Sequence, residues 1–261
     1  MTRRLLAAMS GWGKSWYAQL LFETNLPEFD LVAIFDYKDE YRGLVKAGLA
    51  SHYIVGDRER AWSVEDWEAF FESNPKVVLA RHRLKPEEWR EVVAKAVQAL
   101  RNLAGPSRSA LAGIDEAHFV APQTGKIPDA IEGLSTTGRG EGASSMWITQ
   151  RLAKLDETVG SQCDERIIGG FSGDRDRGKV DPEYPEDVHN PQARSIARLP
   201  DELRVDGESI ALRRFEEDGS TVGSEWVYSN NKGEMERRDT RELTMQTTHY
   251  GPEGHPIHDP N

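Results

Sequence analysis

Lys14 and Ser15 close the eight-residue run Ala8-Met-Ser-Gly-Trp-Gly13-Lys14-Ser15, directly after the apolar run Leu5 to Met9 and before a helical stretch from Tyr17. An ammonium and a hydroxyl at the first turn of a helix, behind a glycine-bearing turn, are what a triphosphate cradle requires. Backbone N–H groups at the helix start face the phosphates and the lysine reaches their outer oxygens. The pattern G-x-x-x-x-G-K-[ST] has Ala8 in its first glycine position, with Gly11 supplying a flexible point inside the loop. The nucleotide-binding set expected from the loop is Ser10, Gly11, Trp12, Gly13, Lys14, Ser15 and Trp16, and the nucleotide ATP.

A lone Gly-Lys-Ser also occurs in surface turns, so a second motif carries weight. Ser109-Ala-Leu-Ala-Gly-Ile-Asp115-Glu116 is an apolar strand-length run ending in two acids. That order sets one carboxylate toward Mg²⁺ and the next toward an attacking water. Ser15 and Asp115 are the expected Mg²⁺ ligands, directly or through water, and Glu116 the expected base. Gln150, at the end of the run Ser145-Met-Trp-Ile-Thr-Gln, is placed to sense a γ-phosphate, although polar strand ends also serve as caps. Arg139 sits between Gly138 and Gly140 and is a candidate finger for a neighbour's site, with Arg151 second. His118 has no His or Cys partner at ligand spacing, which favours a structural role. Two basic clusters, Arg81-His-Arg83-Leu-Lys85 and Arg175-Asp-Arg177-Gly-Lys179, are candidate contacts to DNA phosphates or simply solvated loops.

The elements that must position these groups alternate. Strands are expected at Leu31 to Asp36, around Ser51 to Gly56, at Lys76 to Ala80, before Asp115, at Ser145 to Gln150 and at Glu165 to Phe171. Helices are expected from Ser63, an N-cap with Asp66 three residues on, from Lys85 through Leu103 with Pro86 in the first turn, near Ile127 to Ser135, and from Leu152 to about Cys163. The fold class is therefore α/β: a RecA-like P-loop NTPase core, a mainly parallel doubly wound sheet with crossover helices. A variable charged loop spans about 173–195, Ile196 to Leu203 reads as helical, and a C-terminal hairpin is expected at about 208–228 through Glu-Glu-Asp-Gly219. The ATPase domain is drawn as 1–229. Residues 230–261 read as a polar tail, flexible or clasping a neighbouring subunit.

Of 261 residues, 44 are Asp or Glu and 33 Lys or Arg, only 10 of them Lys, giving a net charge of −11. With pI ≈ 5.2 the surface as a whole is wrong for coating nucleic acid, while a local basic channel stays open. An acid-rich, lysine-poor surface also fits a halophilic source. No apolar run reaches the roughly 20 residues that span a bilayer, and no secretory h-region is present, so a soluble intracellular or particle-borne protein is expected. The single cysteine, Cys163, forms no internal disulfide.

The P-loop, the segment Asp36-Tyr-Lys-Asp-Glu40-Tyr41, the Asp115-Glu116 pair, the Gly138-Arg139-Gly140 turn, Ile148-Thr149-Gln150-Arg151 and Ser161-Gln162-Cys163-Asp164-Glu165-Arg166 together resemble the HerA and FtsK group of P-loop ATPases over about residues 4 to 215. The resemblance implies a homo-oligomeric ring, usually a hexamer, that moves double-stranded DNA with each active site at a subunit border. A P-loop strand starting near residue 4, with no barrel or membrane domain before it, is similar to the genome-packaging ATPases of membrane-containing icosahedral viruses, with a haloarchaeal host as one setting. That implies location in the host cytoplasm or at the packaging vertex, with capsid-vertex or membrane-associated virion proteins as partners. Alternatives are a cellular or plasmid HerA-like translocase, a conjugation-type ATPase, or a scaffold that binds nucleotide without moving DNA. A two-domain helicase would need a second RecA-like half, and a small-molecule kinase an arginine-rich lid.

Overall fold

The computed structural model describes residues 2–180 and 183–251. Its centre is a sheet of seven strands, the inner ones buried on both faces and the edge strand Ser51–Val55 mostly exposed. These are β1 (Arg3–Ala7), β2 (Leu31–Asp36), β3 (Ser51–Val55), β4 (Lys76–Arg81), β5 (Ala110–Ile114), β6 (Ala143–Thr149) and β7 (Glu165–Ile168). They run parallel in the order β7-β1-β6-β5-β2-β4-β3. Successive side chains of a strand face opposite layers, so β1 sends Leu5 and Ala7 into one core and Leu6 and Ala8 into the other.

Helices cover both layers. The first packs Trp67 and Phe71 of α4 (Val64–Ser73) and Trp89, Val93 and Val97 of α5 (Pro86–Leu103). The second packs Tyr17, Ala18 and Phe22 of α1 (Lys14–Asn25) and Leu44 of α2 (Arg42–Lys46). Helix α3 (Asp57–Arg60) is short, and α4 starts as expected, with the Ser63 hydroxyl accepting the Asp66 N–H and the Asp66 carboxylate accepting the Ser63 N–H. Helix α6 (Asp129–Thr136) matches the expected segment to within two residues.

Three segments differ from the sequence reading. The helix expected from Leu152 to Cys163 is a 3₁₀ turn at Leu152–Lys154 and then α7 (Glu157–Ser161). Asp156 breaks it, because its carboxylate accepts the N–H groups of Thr158 (2.9 Å) and Val159 (3.3 Å) and so starts a new helix. Residues 208–213 form no strand, since the Arg237 guanidinium takes the carbonyls of Ile210 (2.9 Å) and Ala211 (2.7 Å). The hairpin is therefore shorter on its first side, β8 (Arg214–Glu217) against β9 (Ser220–Asn230), joined by Asp218 (φ 49°) and Gly219 (φ 77°). Of the helical segment expected from Ile196 to Leu203, only the 3₁₀ turn Asp201–Leu203 forms.

The segment after Asn230 continues into the fold. Strand β10 (Met235–Asp239) pairs with β9, and β9 pairs antiparallel with β7, extending the sheet by two strands. Beyond it, the N–H groups of Gln246 and Thr247 donate to the two Glu23 carboxylate oxygens (2.8 and 2.7 Å), docking the segment on α1. The rest of the expected tail, 252–261, lies outside the described residues. The charged loop holds α8 (Asp174–Arg177) and a 3₁₀ turn, Glu186–His189. No helix among the described residues is long and apolar enough to cross a membrane.

His189 fixes that second turn under the sheet. Its ring is fully buried, with Nδ1 2.9 Å from the Gly169 carbonyl and Nε2 3.1 Å from the Tyr184 hydroxyl. Burial depresses its pKa from 6.5 to about 4. The stability this neutral ring contributes is complete above pH 6.5 and is lost as pH falls toward 4, by on the order of 3 kcal/mol. We expect thermal stability to fall over that window in the wild type, and less so in His189→Gln. Melting curves at stepped pH check it, and equal slopes for the two proteins would contradict it.

Candidate functional site

The parallel strands point their C-terminal ends to one edge, and there the two motifs meet. Between Ala7 and α1 the loop turns through Gly11 (φ +75°) and Gly13 (φ +81°), conformations that favour glycine. Ala8, in the first glycine position of the motif, is buried, and a Cβ on Gly169 would stand 2.8 Å from its own. The bare backbone that the motif places at its first residue is thus supplied from the end of β7. Gly170 likewise leaves room for the Trp12 indole, which is buried and donates from Nε1 to the Glu225 carbonyl (3.1 Å).

Above the loop is a cavity of about 470 Å³ whose walls include Ser10, Gly11, Gly13, Lys14, Ser15 and Trp16. Trp12 is the exception in the expected set. It does not line the cavity, its N–H donates to the Met9 carbonyl (3.4 Å), and it anchors the loop from below. The roof is a feature absent from the sequence reading. The tip of the β8–β9 hairpin lies over the P-loop, with Arg214 Nη1 (3.2 Å) and Thr221 Oγ1 (3.0 Å) donating to the Gly11 carbonyl. Ser224 Oγ donates to the Trp12 carbonyl at 2.7 Å.

Asp115 and Glu116 directly follow β5 and are buried behind the cavity wall; neither lines it, but each meets a lysine that does, Lys14 and Lys38. Lys14 Nζ is 4.0 Å from Asp115 Oδ1, both side chains almost wholly buried. Burial pushes the Asp115 carboxyl well above the ordinary carboxylate range, and Lys14 opposes the shift. Glu116 is buried in a left-handed backbone conformation (φ 47°), which is uncommon for a residue with a side chain and concentrates at functional sites. One of its oxygens is ion-paired to Lys38, and the other is 3.4 Å from His118 Nδ1. His118 also reaches Thr149 Oγ1 (3.0 Å), and burial lowers its pKa to about 4, leaving a neutral ring that props the glutamate. Gln150 lines the cavity beside Lys14.

The residues present fit a Mg²⁺ ion. Ser15 Oγ and the Asp115 carboxylate are hard oxygen donors, both Asp115 oxygens are buried without a hydrogen-bond partner, and the Ser15 hydroxyl already donates to Glu40. Mg²⁺ takes one or two carboxylates and completes its octahedron with water and phosphate oxygens. Among the described residues no group of three or more His, Cys, Asp and Glu could hold a metal alone.

The other expected residues stand apart. Arg139 lies in the 3₁₀ turn Gly138–Glu141 at the start of β6, 59% exposed and 3.6 Å from Asp164. The P-loop is at the far end of the same strands, about 20 Å away along β6 at 3.3 Å per residue. Arg151 is at the cavity end, its Nε 3.9 Å from Asp176. Both basic clusters fall on the cavity edge of the sheet but are divided in use. Arg81 donates to the Tyr37 and Leu84 carbonyls and covers the Tyr37 ring at 3.9 Å, and Arg177 is buried against the Phe171 carbonyl (2.9 Å). Arg83, Lys85, Arg175 and Lys179 are exposed.

The sheet order, the glycine-turned loop and the acid pair define a RecA-like P-loop NTPase fold. No protein-family model matches the chain, and no curated protein does. Solved structures do. The genome-packaging NTPase B204 of Sulfolobus turreted icosahedral virus 2, with ATP-gammaS, superposes with a TM-score of 0.58 at 16% identity, covering 90% of this chain and 96% of that one. B204, the DNA-packaging ATPase from Sulfolobus turreted icosahedral virus, gives 0.56 at 13% identity, with the same coverage. VirB4 of Thermoanaerobacter pseudethanolicus gives 0.54 at 10% identity, covering 90% and 88%. At these identities the likeness is one of fold, a mostly parallel P-loop NTPase sheet shared with these structures.

Proposed function

We propose that the chain is the ATP-hydrolysing subunit of a hexameric ring that moves double-stranded DNA, and that its task is to package a viral genome into a preformed capsid. The observation that carries the reading is the pair Asp115-Glu116 at the end of a buried strand, one acid against the P-loop lysine and the other, in a left-handed backbone conformation, against the cavity-lining Lys38. Lys14 and the loop N–H groups would hold the phosphates, and Ser15 and Asp115 would hold a Mg²⁺ ion, which would supply charge neutralisation there. Glu116 orients and deprotonates water, and Gln150 senses the γ-phosphate. The likeness to viral packaging NTPases supports the packaging task, with action at a capsid vertex or in the host cytoplasm. The acidic, lysine-poor composition supports a salt-rich host. The exposed residues Arg83, Lys85, Arg175 and Lys179 are the proposed DNA contacts.

Arg139 tests the ring. It is too far from its own P-loop to reach a γ-phosphate, so it can act only on a neighbour's. Arg139→Ala protein is expected to bind ATP but hydrolyse it about a thousandfold more slowly. Mixing it with Glu116→Gln protein should restore part of the activity, because some borders then join an intact Glu116 to an intact Arg139. Absence of rescue in rings shown to co-assemble, or full activity of Arg139→Ala alone, would contradict the trans role.

A further inference from the structure

Two residues of the turn after β2 are engaged with groups that a bound nucleotide would use. The turn itself is fixed: the Asp36 carboxylate, fully buried, accepts the N–H groups of Lys38 (3.2 Å), Glu40 (3.1 Å) and Tyr41 (2.9 Å). From that base Lys38 and Glu40 both line the cavity with Lys14 and Ser15. Glu40 takes the Ser15 hydroxyl, and Lys38 takes Glu116.

The site therefore holds two ammoniums and two buried acids in matched pairs, Lys14 with Asp115 and Lys38 with Glu116. Lys14 is the P-loop cation. Lys38 also lines the cavity with an acid as its partner, but on a more exposed side chain, 38% against 6% for Lys14, whose flexible stem is free to move. Burial, the largest single influence, would lower its pKa, but the hydrogen bond to Glu116 and the charges of Glu116, Asp115 and Glu40 together hold it above the ordinary lysine value, so the ammonium is charged.

We propose that Lys38 is a second cation for the terminal phosphate of ATP, and that binding of ATP moves it from Glu116 to that phosphate. The proposal rests on the ATP-site reading above. A Mg²⁺-bound triphosphate brings more negative charge into the cavity than one carboxylate offers, and the lysine stem lets the ammonium follow it. While Lys38 holds a Glu116 oxygen, that oxygen is not free to accept a proton from water. Its transfer releases the base only when a third phosphate is present, because ADP carries nothing at that position. Glu116 is thereby kept from acting on anything but the triphosphate complex.

The test is binding of a non-hydrolysable ATP analogue and of ADP, each with Mg²⁺, to the full-length wild type, Lys38→Met and Lys38→Arg. Lys38→Met is expected to bind the analogue roughly ten- to a hundredfold more weakly, the effect of one charged hydrogen bond, while ADP affinity stays within about twofold. Lys38→Arg should recover most of the loss, and Lys38→Gln serves in place of Met if the latter fails to fold. Equal weakening for both nucleotides, or unchanged analogue binding in a normally folded variant, would overturn the proposal and leave Lys38 as a partner of Glu116 alone. A wild type that binds neither nucleotide would overturn the ATP-site reading itself, an outcome visible before any variant is compared.

Discussion

Lys14→Ala is expected to lose ATP binding by at least about a hundredfold, with a fold that survives. Its ammonium is the only charge the P-loop itself supplies, it is buried, and it lies 4.0 Å from an acid that has no hydrogen-bond partner of its own. Removing it costs charge-assisted contacts to two phosphates, each a factor of about ten or more. It also leaves Asp115 beside an empty volume, but that carboxyl is already pushed upward by burial and takes up a proton, which limits the loss of stability. Trp16 in the cavity wall offers an intrinsic fluorescence signal for the titration. An affinity within about threefold of the wild type would remove the P-loop from the nucleotide site.

Glu116→Gln is expected to separate binding from chemistry. Glutamine keeps the shape of a side chain that is fully buried and held in a left-handed backbone conformation, so the cavity should persist. What it loses is the acceptor for the water proton, and general-base removal typically costs a factor of about 10² to 10⁴ in turnover. ATP affinity should be equal to or above that of the wild type, since the buried negative charge that pairs with the cavity-lining Lys38 has been removed. Turnover at the wild-type rate would show that another group activates the water. His118, 3.4 Å from Glu116, is the side chain to test next, although a pKa near 4 makes its neutral ring a weak proton acceptor and it is packed against Thr149.

The parts of the site that could be read from sequence are those made by contiguous residues. The P-loop, the strand before Asp115 and the Ser63 cap are local patterns with a local cause, and each is where its pattern puts it. The parallel core was legible for the same reason, because strands buried on both faces read as unbroken apolar runs. The roof of the cavity was not. Thr221 and Arg214 meet Gly11 across more than 200 residues of chain, and no spacing rule relates them. Lys38 and Glu40 stood in a quoted segment, yet their roles depend on strand order, which brings the end of β2 beside the end of β5. The missing first glycine had its answer at Gly169, also a matter of which strands are neighbours. Among the basic residues, composition could not separate Arg81 and Arg177, which serve this chain's own carbonyls, from the exposed Arg83 and Arg175. Polar character after Asn230 suggested a tail because β10 is an edge strand whose charged residues, Glu236, Arg237 and Arg238, pair with β9 by backbone and not by apolar side chains.

The central claim is that ATP hydrolysis drives movement along duplex DNA. Displacement of a third strand from a triplex tests it most directly, because a motor that advances along the duplex must strip the bound oligonucleotide. The account predicts displacement by the wild type that requires ATP and Mg²⁺, is blocked by the non-hydrolysable analogue, and is lost in Glu116→Gln. Turnover of ATP that leaves the triplex intact, at a rate indifferent to added DNA, would contradict it.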